Sequence, residues 1–289
     1  MTGTTFRFEA IGTHWNIELA ETLDVTASSH LETIIMERIA RFDKAYSRFR
    51  DDSLVAKMAK EAGDYLLPPD GPALFLLYER VYAITKGKVT PLIGSVMEEA
   101  GYDKAYSLTP REVHTAPRWE DALKFDGQIL TLKQPALLDV GAAGKGYLID
   151  LVGAVLTKEG HTIFTIDAGG DIIHRDKEAM LRVGLEHPLD ITKVIGVVEL
   201  GNESICGSAG NRRTWDRFTH IIDPNTLTSP TEILATWVVA ESTLLADMLA
   251  TCLFFVPASE LVSQFTFQYV VLHKDFSIEH SPTLRAEFY

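Results

Sequence analysis

Two cysteines, Cys206 and Cys252, are all that the chain contains, and they lie far apart without partners at metal-ligand spacing. Neither a disulfide framework nor a zinc site can be read from them, and a reducing compartment is the simplest inference. Long apolar runs are missing too: no stretch approaches the roughly 18 residues of a membrane span, so the chain is not expected to be membrane-spanning. Basic residues are in deficit, 27 against 40 acidic ones, for a net charge of −13. Such a field repels nucleic acid and anionic lipid, and an anionic ligand would need local compensation from a metal, a lysine or a helix N-terminus. The opening Met1-Thr2-Gly3-Thr4-Thr5-Phe6-Arg7 lacks a basic start, an apolar stretch and a lipid-accepting cysteine. The expectation is a cytoplasmic protein as encoded, extracytoplasmic only if a leader precedes it.

What is present reads as an ordinary globular chain, 46% hydrophobic and 23% charged over 289 residues, within the size of one large domain or two intimate ones. No repeat, low-complexity tract or linker divides it, so 1–289 is taken as a single domain. Residues 5–20 alternate as a strand or hairpin broken at Gly12-Thr13, and helical spacing predicts helices over 29–46, 54–60 and 72–86, the last ended by Gly87. A short helix within a loop is expected between Thr90 and Tyr106, strand pieces from Ala122 with a turn at Asp126-Gly127, and a helix over 145–158. Further strands fit 162–166, 180–186, 194–200, 203–206, 217–222 and 234–240, then a helix over 243–255 and a final strand near 269–272. Strands clustered apart from helices predict an α+β fold, mostly antiparallel, with helices packed at one face.

Four segments carry residues suited to chemistry. Asp139-Val140-Gly141-Ala142-Ala143-Gly144-Lys145-Gly146-Tyr147 places glycines where a strand is expected to turn into a helix, so that backbone N–H groups and Lys145 could meet a phosphate; a tight packing turn with an exposed lysine accounts for the same letters. Asp167-Ala168-Gly169-Gly170-Asp171 permits close backbone approach to a ligand, or is a plain turn. His220 precedes Asp223-Pro224 and is the side chain best placed to trade a proton near neutrality, or a hydrogen-bonded structural histidine. The helix from Thr243 carries Asp247 and Thr251 one turn apart on a small, polar stripe. A carboxylate among so many apolar residues must be paired, protonated or bound to a cation, and these oxygens suit Mg²⁺; a dipole-stabilising aspartate in the first turns is the alternative.

Taken in order, these segments resemble the ApbE-type FAD:protein FMN transferases from Ile11 to Phe255. Ile11-Gly12-Thr13-His14-Trp15 is similar to the family's Met-Gly-Thr-x-Trp, with Ile11 in place of the methionine. Ser47-Arg48-Phe49 and Asp52-Ser53-Leu54 resemble its Ser-x-Phe and Ser-Glu-Leu. Val89-Thr90-Pro91-Leu92-Ile93-Gly94 stands for Phe-Asp-Pro-Thr-Val-Gly without its Asp and Thr, and Gly144 replaces an alanine in Asp-Leu-Gly-Gly-Ile-Ala-Lys-Gly-Tyr. Cys206-Gly207-Ser208-Ala209 is a reduced version of Thr-Ser-Gly, whereas His220-Ile221-Ile222-Asp223-Pro224 and Leu245 to Thr251 follow the family closely.

The resemblance implies a T-fold-like architecture and a transfer of FMN from FAD, with Mg²⁺, to a threonine of an acceptor flavoprotein, releasing AMP. It implies Ala142 (through its carbonyl), Asp247 and Thr251 as metal ligands and His220 and Asp171 as catalytic groups. Ile11, Thr90, Asp139, Lys145, Gly169, Gly170, Ser208, Ile221 and Asp223 would contact the FAD substrate. An FAD pyrophosphatase and a non-catalytic FAD carrier remain the alternatives.

Overall fold

The computed structural model describes residues 3–211 and 213–289. Strands β1 (Thr5–Ala10) and β2 (Thr13–Leu19) form an antiparallel hairpin, followed by helices α1 (Val25–Tyr46) and α2 (Leu54–Met58). Asp24 and Ser53 begin these helices by accepting the N–H of Ala27 and Ala56. Strand β3 (Gly63–Leu66) and helix α3 (Gly71–Ile84) come next, and the chain leaves α3 through Gly87, at φ 82°. A 3-10 turn at Pro91–Ile93 runs into α4 (Gly94–Glu99), and α5 (Trp119–Ala122), β4 (Leu123–Phe125) and β5 (Ile129–Leu132) precede α6 (Gly144–Lys158). Then follow β6 (Phe164–Ala168), β7 (Asp171–Arg175), β8 (Leu181–Glu186), β9 (Val194–Leu200), β10 (Ser204–Ala209), β11 (Thr214–Trp215), β12 (Phe218–Thr219) and β13 (Ile233–Ala240). Helices α7 (Thr243–Cys252) and α8 (Ala258–Val262) and strands β14 (Gln268–His273), β15 (Ile278–His280) and β16 (Ala286–Phe288) complete the chain.

One eight-stranded sheet, in the order β1-β2-β6-β7-β10-β13-β14-β15, organises the molecule, and every pairing in it is antiparallel. Successive side chains on a strand face opposite ways, and the core divides accordingly. Ile173, Cys206, Val238 and Val271 pack with residues of α1, α3, α6 and α7, while their neighbours Ile172, Ile205, Val239 and Val270 pack with β8 and β9. The α+β expectation therefore holds, with an addition: the face opposite the helices is covered by the three-stranded sheet β16-β9-β8. The central strands are apolar on both sides for that reason. Among the described residues no helix is long and apolar enough to cross a membrane.

Three expectations are corrected. The segment 217–222 is strand only at Phe218–Thr219, because the Thr219 hydroxyl accepts the N–H of Ile221 at 3.0 Å and its N–H goes to Ser229 Oγ, which replaces a ladder by local bonds. The strand near 269–272 is not the last, since β15 and β16 follow it. Asp139 to Gly144 does not continue a strand: β5 ends at Leu132 and irregular chain leads into α6.

Candidate active site

The C-terminal end of α1 and the loop after it, the β1–β2 turn, the start of α6, the end of β10 and the polar stripe of α7 surround a cleft of about 620 Å³. Ile11, Thr90, Asp139, Ala142, Lys145, Gly169, Ser208, His220, Ile221, Asp247 and Thr251 all line it. Three of the residues singled out from the sequence do not. Gly170 faces a second cavity of about 420 Å³, which shares Gly169, Gly207, Ser208 and Ala209 with the first. Asp171 lies behind Lys145, and Asp223 caps its own loop by accepting the N–H of Asn225 at 2.9 Å. Cations missed by the sequence reading, Arg48, Lys88 and Arg213, also line the cleft, so a chain of net charge −13 supplies positive charge where an anion would sit. Arg48 comes from the family-like segment Ser47-Arg48-Phe49, where it holds the unspecified position of the motif, and Tyr102 and Tyr106 follow α4 in chain that carried no motif.

The glycine pair after β6 is a hairpin turn. Gly169 and Gly170 both hold positive φ, 66° and 92°, as a two-residue turn between right-twisted strands requires, and Asp167 fixes it by accepting the Gly170 N–H at 2.8 Å. This turn starts β7 at Asp171, whose side chain is 1% exposed. One of its oxygens bonds Lys145 Nζ and the other accepts the Gly207 N–H at 3.2 Å. Burial alone would lower the Lys145 pKa, but the charges of Asp171 and Asp247 outweigh it and raise the pKa, keeping the ammonium protonated.

Helices α6 and α7 cap each other. The N-cap residue of α6, Ala143, has no side-chain acceptor, and the Gly146 N–H in the first turn is taken instead by Asp247 Oδ2 of α7, at 2.8 Å. In return Asp150 of α6 accepts the N–H groups of Thr243 and Leu244, at 2.9 and 2.7 Å, together with the Thr243 hydroxyl. Burial raises the Asp150 pKa against the pull of these donors. The exchange pins the two helix starts together and so fixes where Asp247 stands. Asp150→Ala would strand two N–H groups and a hydroxyl and is expected to cost about 2 kcal/mol. Denaturant unfolding measures this, and an unchanged midpoint would remove the capping from the account of stability.

Asp247 is 6% exposed and lies near a second carboxylate, Asp171. Burial first and the Asp171 charge second push its pKa up to about 8, against Lys145 and the Gly146 N–H. Asp247 lies beyond the first turn of its own helix, and the helix start it bonds is that of α6. Among the described residues no three His, Cys, Asp or Glu side chains gather as a metal cluster.

The sequence model of the ApbE family matches residues 11–269. An FAD:protein FMN transferase of Vibrio cholerae is 24% identical over 260 residues, which cover 83% of this chain and 78% of that protein. The solved structure of the flavin transferase ApbE from Vibrio cholerae shares 20% identity with a TM-score of 0.81, over 97% of this chain and 96% of that one. That of the ApbE protein from Thermotoga maritima shares 20% identity with a TM-score of 0.82, over 98% of each chain.

Proposed function

The chain belongs to the ApbE family, and on that premise we propose that it is an Mg²⁺-dependent FAD:protein FMN transferase, which moves the FMN half of FAD onto a threonine hydroxyl of an acceptor flavoprotein and releases AMP. The observation that carries the proposal is the convergence of Lys145, His220, Asp247, Thr251 and Ala142 on one cleft, from segments distant in sequence. Its volume, about 620 Å³, falls in the range of cofactor sites, about 300–1,000 Å³. The whole of 1–289 is taken as the catalytic unit.

The residues present fit a hard divalent cation. The Asp247 carboxylate is buried, raised in pKa and next to another carboxylate, an environment that a bound cation would relieve. Asp247, the Thr251 hydroxyl and the Ala142 carbonyl would hold Mg²⁺ as all-oxygen ligands, with water and phosphate oxygens filling the remaining positions. When bound, the ion would draw charge from the pyrophosphate and the departing phosphate.

The protein's own groups account for the remaining chemistry. Asp171 orients Lys145 and keeps it cationic, so its ammonium can donate to a pyrophosphate oxygen as charge builds on the AMP side. His220 lines the same cleft and is the proposed general base: it takes the proton of the threonine hydroxyl while that oxygen attacks the FMN-side phosphorus. The bond from that phosphorus to the bridging oxygen breaks, and AMP leaves with the electron pair. Ile11, Thr90, Asp139, Gly169, Ser208 and Ile221 are assigned to the walls that hold FAD. Gly170 shapes the turn that carries Gly169, Asp223 fixes the turn that follows it by accepting the N–H of Asn225, and Asp171 acts through Lys145.

Purified protein with FAD, Mg²⁺ and a flavin-acceptor domain should give an acceptor heavier by FMN and an equal amount of AMP. Free FMN with AMP and an unlabelled acceptor would make the protein a pyrophosphatase, and bound, intact FAD would make it a carrier. Below pH about 8 a cation must displace a proton from Asp247. The apparent Mg²⁺ affinity, followed by the rise in melting temperature, is therefore expected to strengthen by about tenfold per pH unit from pH about 6 to 8. A flat profile would take the ion away from Asp247.

A further inference from the structure

Arg48 follows α1 and lines the cleft, yet its side chain is only 2% exposed. Its Nε donates to Asp139 Oδ2 at 2.5 Å, and its guanidinium carbon lies 4.2 Å from the ring centre of Phe49 and 4.9 Å from that of Tyr102. Nη1 and Nη2 are buried and have no hydrogen-bond partner. The hydrogens of a guanidinium lie in its plane, so neighbouring rings attract the charge without satisfying these donors. Burying charged donors in this way is costly unless a ligand supplies the acceptor.

The character of that acceptor follows from the surroundings, given the transferase reading above. Arg48 is paired with Asp139 and flanked by the rings of Phe49 and Tyr102, so the acceptor its free donors lack belongs beside an aromatic wall. A fork with donors only matches a planar edge with two adjacent acceptors, as arginine matches O6 and N7 of guanine. Isoalloxazine offers two such edges, the C2 carbonyl beside N1 and the C4 carbonyl beside N5. In adenine the exocyclic amine is a donor and spoils the match at N1 and at N7. An apolar wall stands next to the fork: Phe49 and Tyr106 lie 5.5 Å apart at 8°, and both remain partly exposed at the cleft. We infer that Arg48 is a specificity-determining residue, which receives the acceptor edge of the isoalloxazine ring and so distinguishes the flavin half of FAD from the adenine half.

The test is equilibrium binding in EDTA, where turnover is suppressed, with FAD, riboflavin and ADP-ribose as probes. Arg48→Met should weaken FAD and riboflavin by at least about tenfold and leave ADP-ribose within about twofold, since only the two flavins carry the ring. The absorbance shift of bound flavin should be lost at the same time. Arg48→Lys keeps the charge but not the fork, and should recover only a small part of the affinity. ADP-ribose binding shows that the cleft is intact in each variant. Equal losses for FAD and ADP-ribose, or no loss for either, overturn the inference. A wild-type protein that binds no flavin overturns the transferase reading itself, whereas wild-type binding that the variants match overturns only the role of Arg48.

Discussion

Asp247→Asn is expected to lower FMN transfer by about two to three orders of magnitude while raising the thermal stability of the metal-free protein. Asparagine keeps the shape of the side chain and an oxygen for the Gly146 N–H, and removes only the charge. In the wild type that charge is penalised by burial and by Asp171, which push the carboxyl from 3.8 to about 8. The native state therefore holds a proton that the unfolded chain has lost, and wild-type stability falls as pH rises from about 4 to about 8. Asparagine has no such proton, so its advantage should widen over the same window. Saturating Mg²⁺ should close the gap by stabilising the ionised carboxylate and leave the melting temperature of the variant unmoved. Melting curves at pH about 5 and about 8.5, with and without Mg²⁺, check this alongside AMP release. A variant that loses stability together with activity would make Asp247 a cap for α6 rather than a cation ligand.

The helices and the large sheet were legible because the signals that make them are local. Ile35, Ile39 and Phe42 recur on one face of α1, Ser53 caps α2, and β13 and β14 show as short runs rich in β-branched and aromatic residues. Short elements escaped for the same reason: β15 and β16 have three residues each, too few for a period to show. The site was half legible. Asp247, Thr251 and His220 stand out by chemical incongruity, a carboxylate in an apolar helix and a histidine beside an aspartate. Their partners do not, because only the packed fold brings Arg48 to Asp139 and Gly146 to Asp247 across 91 and 101 positions. Gly169 and Gly170 make a plain hairpin turn, and that turn is what delivers Asp171 to Lys145.

Gly146→Ala separates packing from propensity most sharply. Alanine is worth about 1 kcal/mol over glycine inside a helix, so on local grounds the substitution should stabilise α6. The tertiary contact decides otherwise. A Cβ at Gly146 would stand 2.2 Å from the Thr243 carbonyl oxygen and 2.6 Å from Asp247 Cβ, and neither atom belongs to the free end of a flexible side chain. The starts of α6 and α7 would have to part, loosening the Gly146–Asp247 bond and the Asp150 bonds to Thr243 and Leu244 together. Overpacking of this kind costs about 1–3 kcal/mol, and the lost caps add about 1–2 more, so a net loss of about 3 kcal/mol is expected. Activity should fall with it, because the same movement displaces Asp247. Gly144→Ala, two residues earlier in the same helix, is the control: its Cβ would meet Val140 Cγ2 at 3.2 Å and Phe42 Cζ at 3.9 Å, side-chain atoms that can yield. Denaturant unfolding of the two variants should therefore give opposite results, with Gly144→Ala neutral or up to about 1 kcal/mol more stable. Equal behaviour would mean that the close approach of α6 and α7 at Gly146 does not govern the site.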